Sequence, residues 1–81
     1  MIDLSFIIIN YNCKKYVKSC IKSCINQKTK FNYEIIFIDD ASTDQSFKEA
    51  IKLKSKMLRI FRNKKNLGIE KTSNFGFKKA K

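Results

Sequence analysis

One apolar run that stops at two acids constrains this chain more than any other feature. Tyr33–Ile38 is dominated by isoleucine, ends in Asp39 and Asp40, and passes into small polar residues as far as Ser46. A short apolar run bounded in this way reads as a buried β-strand entering a loop. Open α/β sheets place their ligands outside the carboxyl ends of such strands. The run Ser5–Asn10 has the same shape and passes into Tyr11 and Asn12. Two strand ends carrying groups able to contact a ligand point to one shared pocket.

Between these runs, Tyr16, Val17, Cys20, Ile21, Cys24 and Ile25 fall on one helical stripe within Cys13–Gln27, with Lys14, Lys15, Lys18 and Lys22 mostly off it. Asn12 is placed to cap that helix, and Lys28–Asn32 reads as a polar connector. After the second strand, Ser42 with Gln45 and Ser46 with Glu49 both have capping-box spacing. The helix they predict runs to Ser55 and buries Phe47, Ala50 and Ile51. Met57–Phe61 reads as a third strand, Arg62–Asn66 as a polar loop leading to Gly68, and Glu70–Lys81 as a last helix weakened by Gly76.

The order β-α-β-α-β-loop-α predicts an α/β, Rossmann-like unit with a small parallel sheet, right-handed crossovers and helices on both faces. Three strands leave apolar surface and strand edges uncovered. With 81 residues the chain is expected to form one incomplete domain, the first part of a larger one. No internal repeat, low-complexity tract or linker interrupts it.

Hydrophobic residues make up 43% of the chain, enough to exclude disorder. Lys+Arg 18 against Asp+Glu 7 gives a net charge of +11, which suits nucleic acid, an acidic membrane surface or a phosphorylated small molecule. A solvated lysine-rich face explains the same numbers without a partner. No stretch approaches the roughly 20 apolar residues that span a bilayer, and the N-terminus lacks a signal-peptide pattern. The expected location is cytoplasmic, with the lysines offering attraction to acidic lipid at the inner membrane face.

Histidine is absent, which removes the usual general base and the Ser-His and Cys-His nucleophile pairs. Cys13, Cys20 and Cys24 lack C-x-x-C spacing and read as free thiols buried as small hydrophobes. Without further thiolates or histidines they make no metal site.

Four blocks in order, SFIIINYN (Ser5–Asn12), CINQ (Cys24–Gln27), YEIIFIDDASTDQS (Tyr33–Ser46) and KNLGIEKTSNFGFKKAK (Lys65–Lys81), resemble family-2 glycosyltransferases over nearly the whole chain. The resemblance implies the nucleotide-binding N-terminal part of a GT-A-fold, inverting enzyme that uses a nucleotide sugar. By position, Tyr11 resembles the aromatic that packs on the base, with Asn10 and Asn12 flanking it. Asp40, with Asp39 beside it, resembles the acid that accepts the base N–H. Gly68 matches the NxG turn, and Asn66 and Asn74 match polar positions of that block. Ser73 stands where relatives often carry arginine, and Lys71 is a weaker substitute without the planar fork.

The family's Asp-x-Asp metal motif and catalytic base fall beyond Lys81. The resemblance therefore implies a divalent cation, magnesium or manganese, for the full-length enzyme and no cofactor within these residues. It implies a UDP- or dTDP-linked donor, a glycan, lipid or polysaccharide acceptor, and little or no activity for this stretch alone. Residue by residue, plainer readings stand beside these. Asp39 and Asp40 can serve as turn formers that bond backbone amides. Tyr11 can cover the sheet edge, Lys64 and Lys65 suit a solvated loop, and Asp44 suits a helix start. Phe47, Phe61, Phe75 and Phe77 read as core rather than ligand contacts. A basic nucleic-acid-binding module is the main alternative, resting on charge and interspersed aromatics without a recognition helix. A phosphoacceptor receiver is set aside because Phe61-Arg62-Asn63 ends the third strand without an acid.

Overall fold

The computed structural model describes residues 2–26, 31–53 and 55–80. Strands β1 (Leu4–Asn10), β2 (Tyr33–Asp39) and β3 (Leu58–Arg62) alternate with helices α1 (Lys14–Ile25), α2 (Ser46–Ile51) and α3 (Gly68–Lys79). The strands form one parallel sheet in the order β1-β2-β3, as the alternating pattern predicts.

Pairing in register sets the faces. Ile8, Phe37 and Ile60 stand side by side on one face, and Ile9, Ile38 and Phe61 on the other. Val17 and Ile21 of α1 and Ala50 of α2 cover Phe37 to make the main core, with Ile8, Leu58 and Ile60 at its margin. On the opposite face α3 lies over β1 and β2, and Phe75 meets Phe61 edge-on at 5.3 Å. Two crossovers therefore run along one face and the third helix turns back over the other. Open α/β sheets place their ligands outside the carboxyl ends of their strands, the end from which α3 starts back.

Gly76 permits the close approach of α3. A Cβ there would stand 2.8 Å from Ile7 Cγ2 and 3.1 Å from Ile38 Cδ1. The glycine that weakened the helix as read from propensity is thus the residue that seats it.

Several other expectations are corrected. Asn12 does not cap α1: its φ of 52° is left-handed, and its side-chain oxygen accepts the Thr43 backbone N–H at 2.7 Å. Neither capping box forms, because Gln45 is also left-handed and makes no side-chain cap bond. Asp44 fills that role, accepting the Ser46 backbone N–H at 2.9 Å. Helix α2 stops at Ile51, short of Ser55; Ala50 is buried, Phe47 half-buried and Ile51 exposed. Helix α3 begins at Gly68, ahead of Glu70.

On α1, Tyr16 and Cys20 are exposed and Cys24 is half-buried, while Cys13 before it is exposed, so the thiols are free but not a buried set. Burial first and the neighbouring Cys20 second push the Cys24 thiol up. The expected stripe is narrower than its sequence because β1 is a sheet edge: Ile7, Ile8 and Ile9 are half-buried while Ile36, Phe37 and Ile38 are fully covered. Phe77 is exposed as well and belongs to no core. Gln27 of the expected helix end, most of the Lys28–Asn32 connector and Lys81 lie outside the described residues.

Candidate functional site at the strand ends

Parallel pairing puts Asn10, Asp39 and Arg62 in one row across the carboxyl ends of the three strands. Asp39 is 0% exposed and its two oxygens are divided between neighbours. Oδ1 accepts the Asn10 side-chain amide at 2.8 Å, and Oδ2 accepts the Ser42 backbone N–H at 2.9 Å. Arg62 Nε stands 3.7 Å from Oδ2, and its guanidinium lies over the Phe47 ring at 5.0 Å. A buried carboxyl group demands this kind of enclosure by hydrogen-bond donors.

One residue later the pleat sends the next row to the other face. Asp40, 2% exposed, accepts the Asn63 side-chain amide at 2.9 Å and the Leu67 N–H at 2.8 Å on Oδ1, and the Gly68 N–H at 3.0 Å on Oδ2. Burial pushes its carboxyl up, but the bonds from Asn63, Leu67, Gly68 and Thr72 outweigh this and hold it below the ordinary range. Gly68, at φ 86°, turns the chain so that its N–H and that of Leu67 converge on one carboxylate. Helix α3 thus starts on Asp40.

The expected site residues separate into three groups. Asn10, Asp39, Asp40 and Gly68 form the two bonded rows. Tyr11 (47% exposed) and Asn12 rise from the end of β1 directly beside them. Lys71 and Asn74 are exposed on α3 and Ser73 is half-buried, off the Thr72–Gly76 line that faces the sheet. Asn66, exposed, accepts the Gly68 N–H at 3.1 Å.

Four structural partners went unread in the sequence: Ser42, Arg62, Asn63 and Thr72. Arg62 and Asn63 carry a usable signal, since they close the third strand as Asp39 and Asp40 close the second. Ser42 and Thr72 carry almost none beyond their small polar character.

An open cleft of about 380 Å³ adjoins the Asp39 row, lined by Ser42, Thr43, Gln45, Phe47, Lys48 and Arg62. A wider one of about 450 Å³ lies at the opposite end of the sheet among Ile2, Phe31, Asn32, Tyr33 and Met57. Its lining holds the Tyr33 phenol but no carboxylate and no cationic side chain. Among the described residues no group of three or more His, Cys, Asp or Glu side chains converges as metal ligands. Asp39, Asp40 and Asp44 are each already bonded by N–H donors and do not fit a cation. No helix among the described residues is long and apolar enough to cross a membrane.

Two polar rows at the carboxyl ends of three parallel strands, with helices on both faces, define an open α/β protein of the Rossmann-like kind. The family model of glycosyl transferase family 2 matches residues 5–81, and the chain belongs to that family. Two uncharacterized glycosyltransferases of Haemophilus influenzae are 41% identical over 75 residues and 37% identical over 79. These alignments cover 90% and 95% of this chain but 23% and 31% of the relatives. The Escherichia coli UDP-Glc:alpha-D-GlcNAc-diphosphoundecaprenol beta-1,3-glucosyltransferase WfaP is 35% identical over 78 residues, 96% of this chain and 31% of its own. Among solved structures, the mannosyltransferase PcManGT from Pyrobaculum calidifontis, in complex with GDP-Man and Mn2+, superposes with a TM-score of 0.80. The match is 16% identical, covers 96% of this chain and 24% of that one, and shows the GT-A fold. The chain spans less than a third of each of these relatives.

Proposed function

We propose that this chain forms the nucleotide-binding portion of a transferase that moves a sugar from a UDP- or dTDP-linked donor to a glycan, lipid-linked or polysaccharide acceptor. The observation that carries the reading is Tyr11, a half-exposed ring at the end of β1 where the chain doubles back, set beside the Asp39 and Asp40 rows. A flat ring standing at such an edge offers a stacking face to a base, and the rows lie under its loop.

By its position in the family's pattern, Asp40 is the acceptor we assign to an imide N–H of the base. Because its oxygens already hold four donors, that contact requires one of them, Leu67 or Gly68 by position, to give way. Lys71, Ser73 and Asn74 lie further along α3 and would meet the ribose or phosphates. The divalent cation and the base that activates the acceptor are assigned, on this reading, to other parts of the enzyme. Lys14, Lys15, Lys18 and Lys22, all exposed on α1, supply the charge for contact with acidic lipid on the cytoplasmic side. Nothing in the site geometry favours nucleic acid.

The test is calorimetric titration of the intact polypeptide that carries these residues with UDP, dTDP, GDP and ATP. UDP and dTDP should bind, and Tyr11→Ala should weaken them by roughly 5- to 150-fold, the range of base–aromatic stacking. Equal affinity for all four nucleotides, or indifference to Tyr11→Ala, would overturn the reading. The 81-residue chain alone should transfer no sugar, and detectable transfer by it would contradict the division of labour proposed.

A further inference from the structure

Among the described residues, three other than glycine hold a left-handed backbone: Asn12 (φ 52°), Ala41 (φ 61°) and Gln45 (φ 70°). All three lie in the two loops that leave β1 and β2, and such conformations persist only where surrounding bonds over-determine them. Those bonds run between the loops. Ser42 Oγ accepts the Asn12 backbone N–H at 2.9 Å and the Asn10 side-chain amide at 3.1 Å. The side-chain oxygen of Asn12 in turn accepts the Thr43 N–H at 2.7 Å. Asp44 Oδ2 accepts the Lys14 N–H at 2.9 Å, while its Oδ1 takes the Ser46 N–H at 2.9 Å and the Ser46 hydroxyl. Residues 10, 12 and 14 are thereby pinned on both sides of Tyr11, whose own ring is half exposed.

We infer that Ser42 and Asp44 are positioning residues, which hold the Tyr11 loop at fixed height over the ends of β1 and β2 so that the ring is set for a nucleotide base. Neither side chain need touch the ligand. Asp44 is spent on backbone and hydroxyl donors, and Ser42 is buried beneath Asn12. The clamp ties the loop to the acidic turn instead of leaving it to find its geometry when ligand arrives, which lowers the ordering entropy of binding. The inference rests on the proposed base contact of Tyr11, and its test separates the two.

A double-mutant cycle does this in the intact polypeptide, with UDP as the probe and melting temperature recorded for every variant. Asp44→Ala should weaken UDP by about tenfold in the parent and less than about twofold in the Tyr11→Ala background, the non-additivity of residues that act through one another. The loss of melting temperature should be the same in both backgrounds, because the clamp itself does not involve the ring. Ser42→Ala, which removes one hydroxyl and no charge, should show the same dependence on Tyr11 and serves where Asp44→Ala fails to fold. Equal weakening in both backgrounds, or none in either, overturns the inference while leaving the base contact standing. If Tyr11→Ala alone leaves UDP affinity unchanged, the base contact fails and the inference falls with it.

Discussion

The carboxylate of Asp40 accepts the backbone N–H of Gly68 at 3.0 Å, joining the end of β2 to the start of α3 across 28 positions. Together with Leu67 it gives the third helix a buried anion at its positive end, where the dipole and the unpaired N–H groups both favour negative charge.

Acid should undo this junction first. Burial raises the Asp40 carboxyl, but its hydrogen bonds hold it lower still, so the folded form releases its proton more readily than the unfolded one. The stabilisation is therefore complete above the unfolded value, about 3.9, and is lost as pH falls through the lower folded value. Asp44 adds to the same acid limb, held down chiefly by the Ser46 hydroxyl against desolvation, with the Lys14 and Ser46 N–H groups assisting. Urea midpoints followed from about pH 7 to pH 2 should fall steeply below about pH 4. Asp40→Asn should flatten that fall without abolishing it and lower stability at neutral pH, since an amide nitrogen would face N–H donors. An unchanged acid limb in Asp40→Asn would show that the carboxylate contributes no linkage.

At Gly68 the constraint is in the backbone. Its φ of 86° is left-handed, yet a Cβ built there meets nothing within 4 Å. Gly68→Ala should therefore destabilise by about 1–2 kcal/mol through conformation alone. Gly68→Asn should recover most of this, because asparagine tolerates that region. Thermal unfolding of the two variants checks the order, and equal losses would point to a contact the geometry does not contain.

The sheet was legible in the sequence because each strand is a compact isoleucine- and phenylalanine-rich run whose polar end marks where pairing stops. The strand ends were legible for the same reason: Asp39 and Asp40 interrupt an apolar run, and burial there demands partners. Those partners were not legible. Asp44 displaced both capping boxes because it reaches two helices at once, a relation set by loop geometry and not by spacing along the chain. Ile51 and Cys20 fall on apolar helical stripes and Phe77 is an aromatic expected in a core, yet all three are exposed, because neither pattern nor residue type shows whether another element covers a face. Gly76 was read as a weakness because propensity scales see the helix alone and not the sheet beneath it.

That last residue gives the sharpest contrast with Gly68. Gly76 sits in ordinary helix, where alanine would gain roughly 1 kcal/mol of propensity. Its Cβ would also press on Ile7 Cγ2 at 2.8 Å and Ile38 Cδ1 at 3.1 Å. Ile38 can turn its terminal methyl aside, but Ile7 Cγ2 is attached at a β-branch and moves only with the side chain as a whole. Overpacking of this kind costs about 1–3 kcal/mol, so Gly76→Ala should lose stability on balance and lift α3 from β1. The loss should shrink when Ile7→Ala is made beside it, because the obstructing methyl is then gone. For Gly68→Ala, where no contact is at fault, Ile7→Ala should change nothing. Denaturation midpoints of the four combinations decide the matter: additivity at Gly76 with Ile7 would mean that α3 is not seated by that contact.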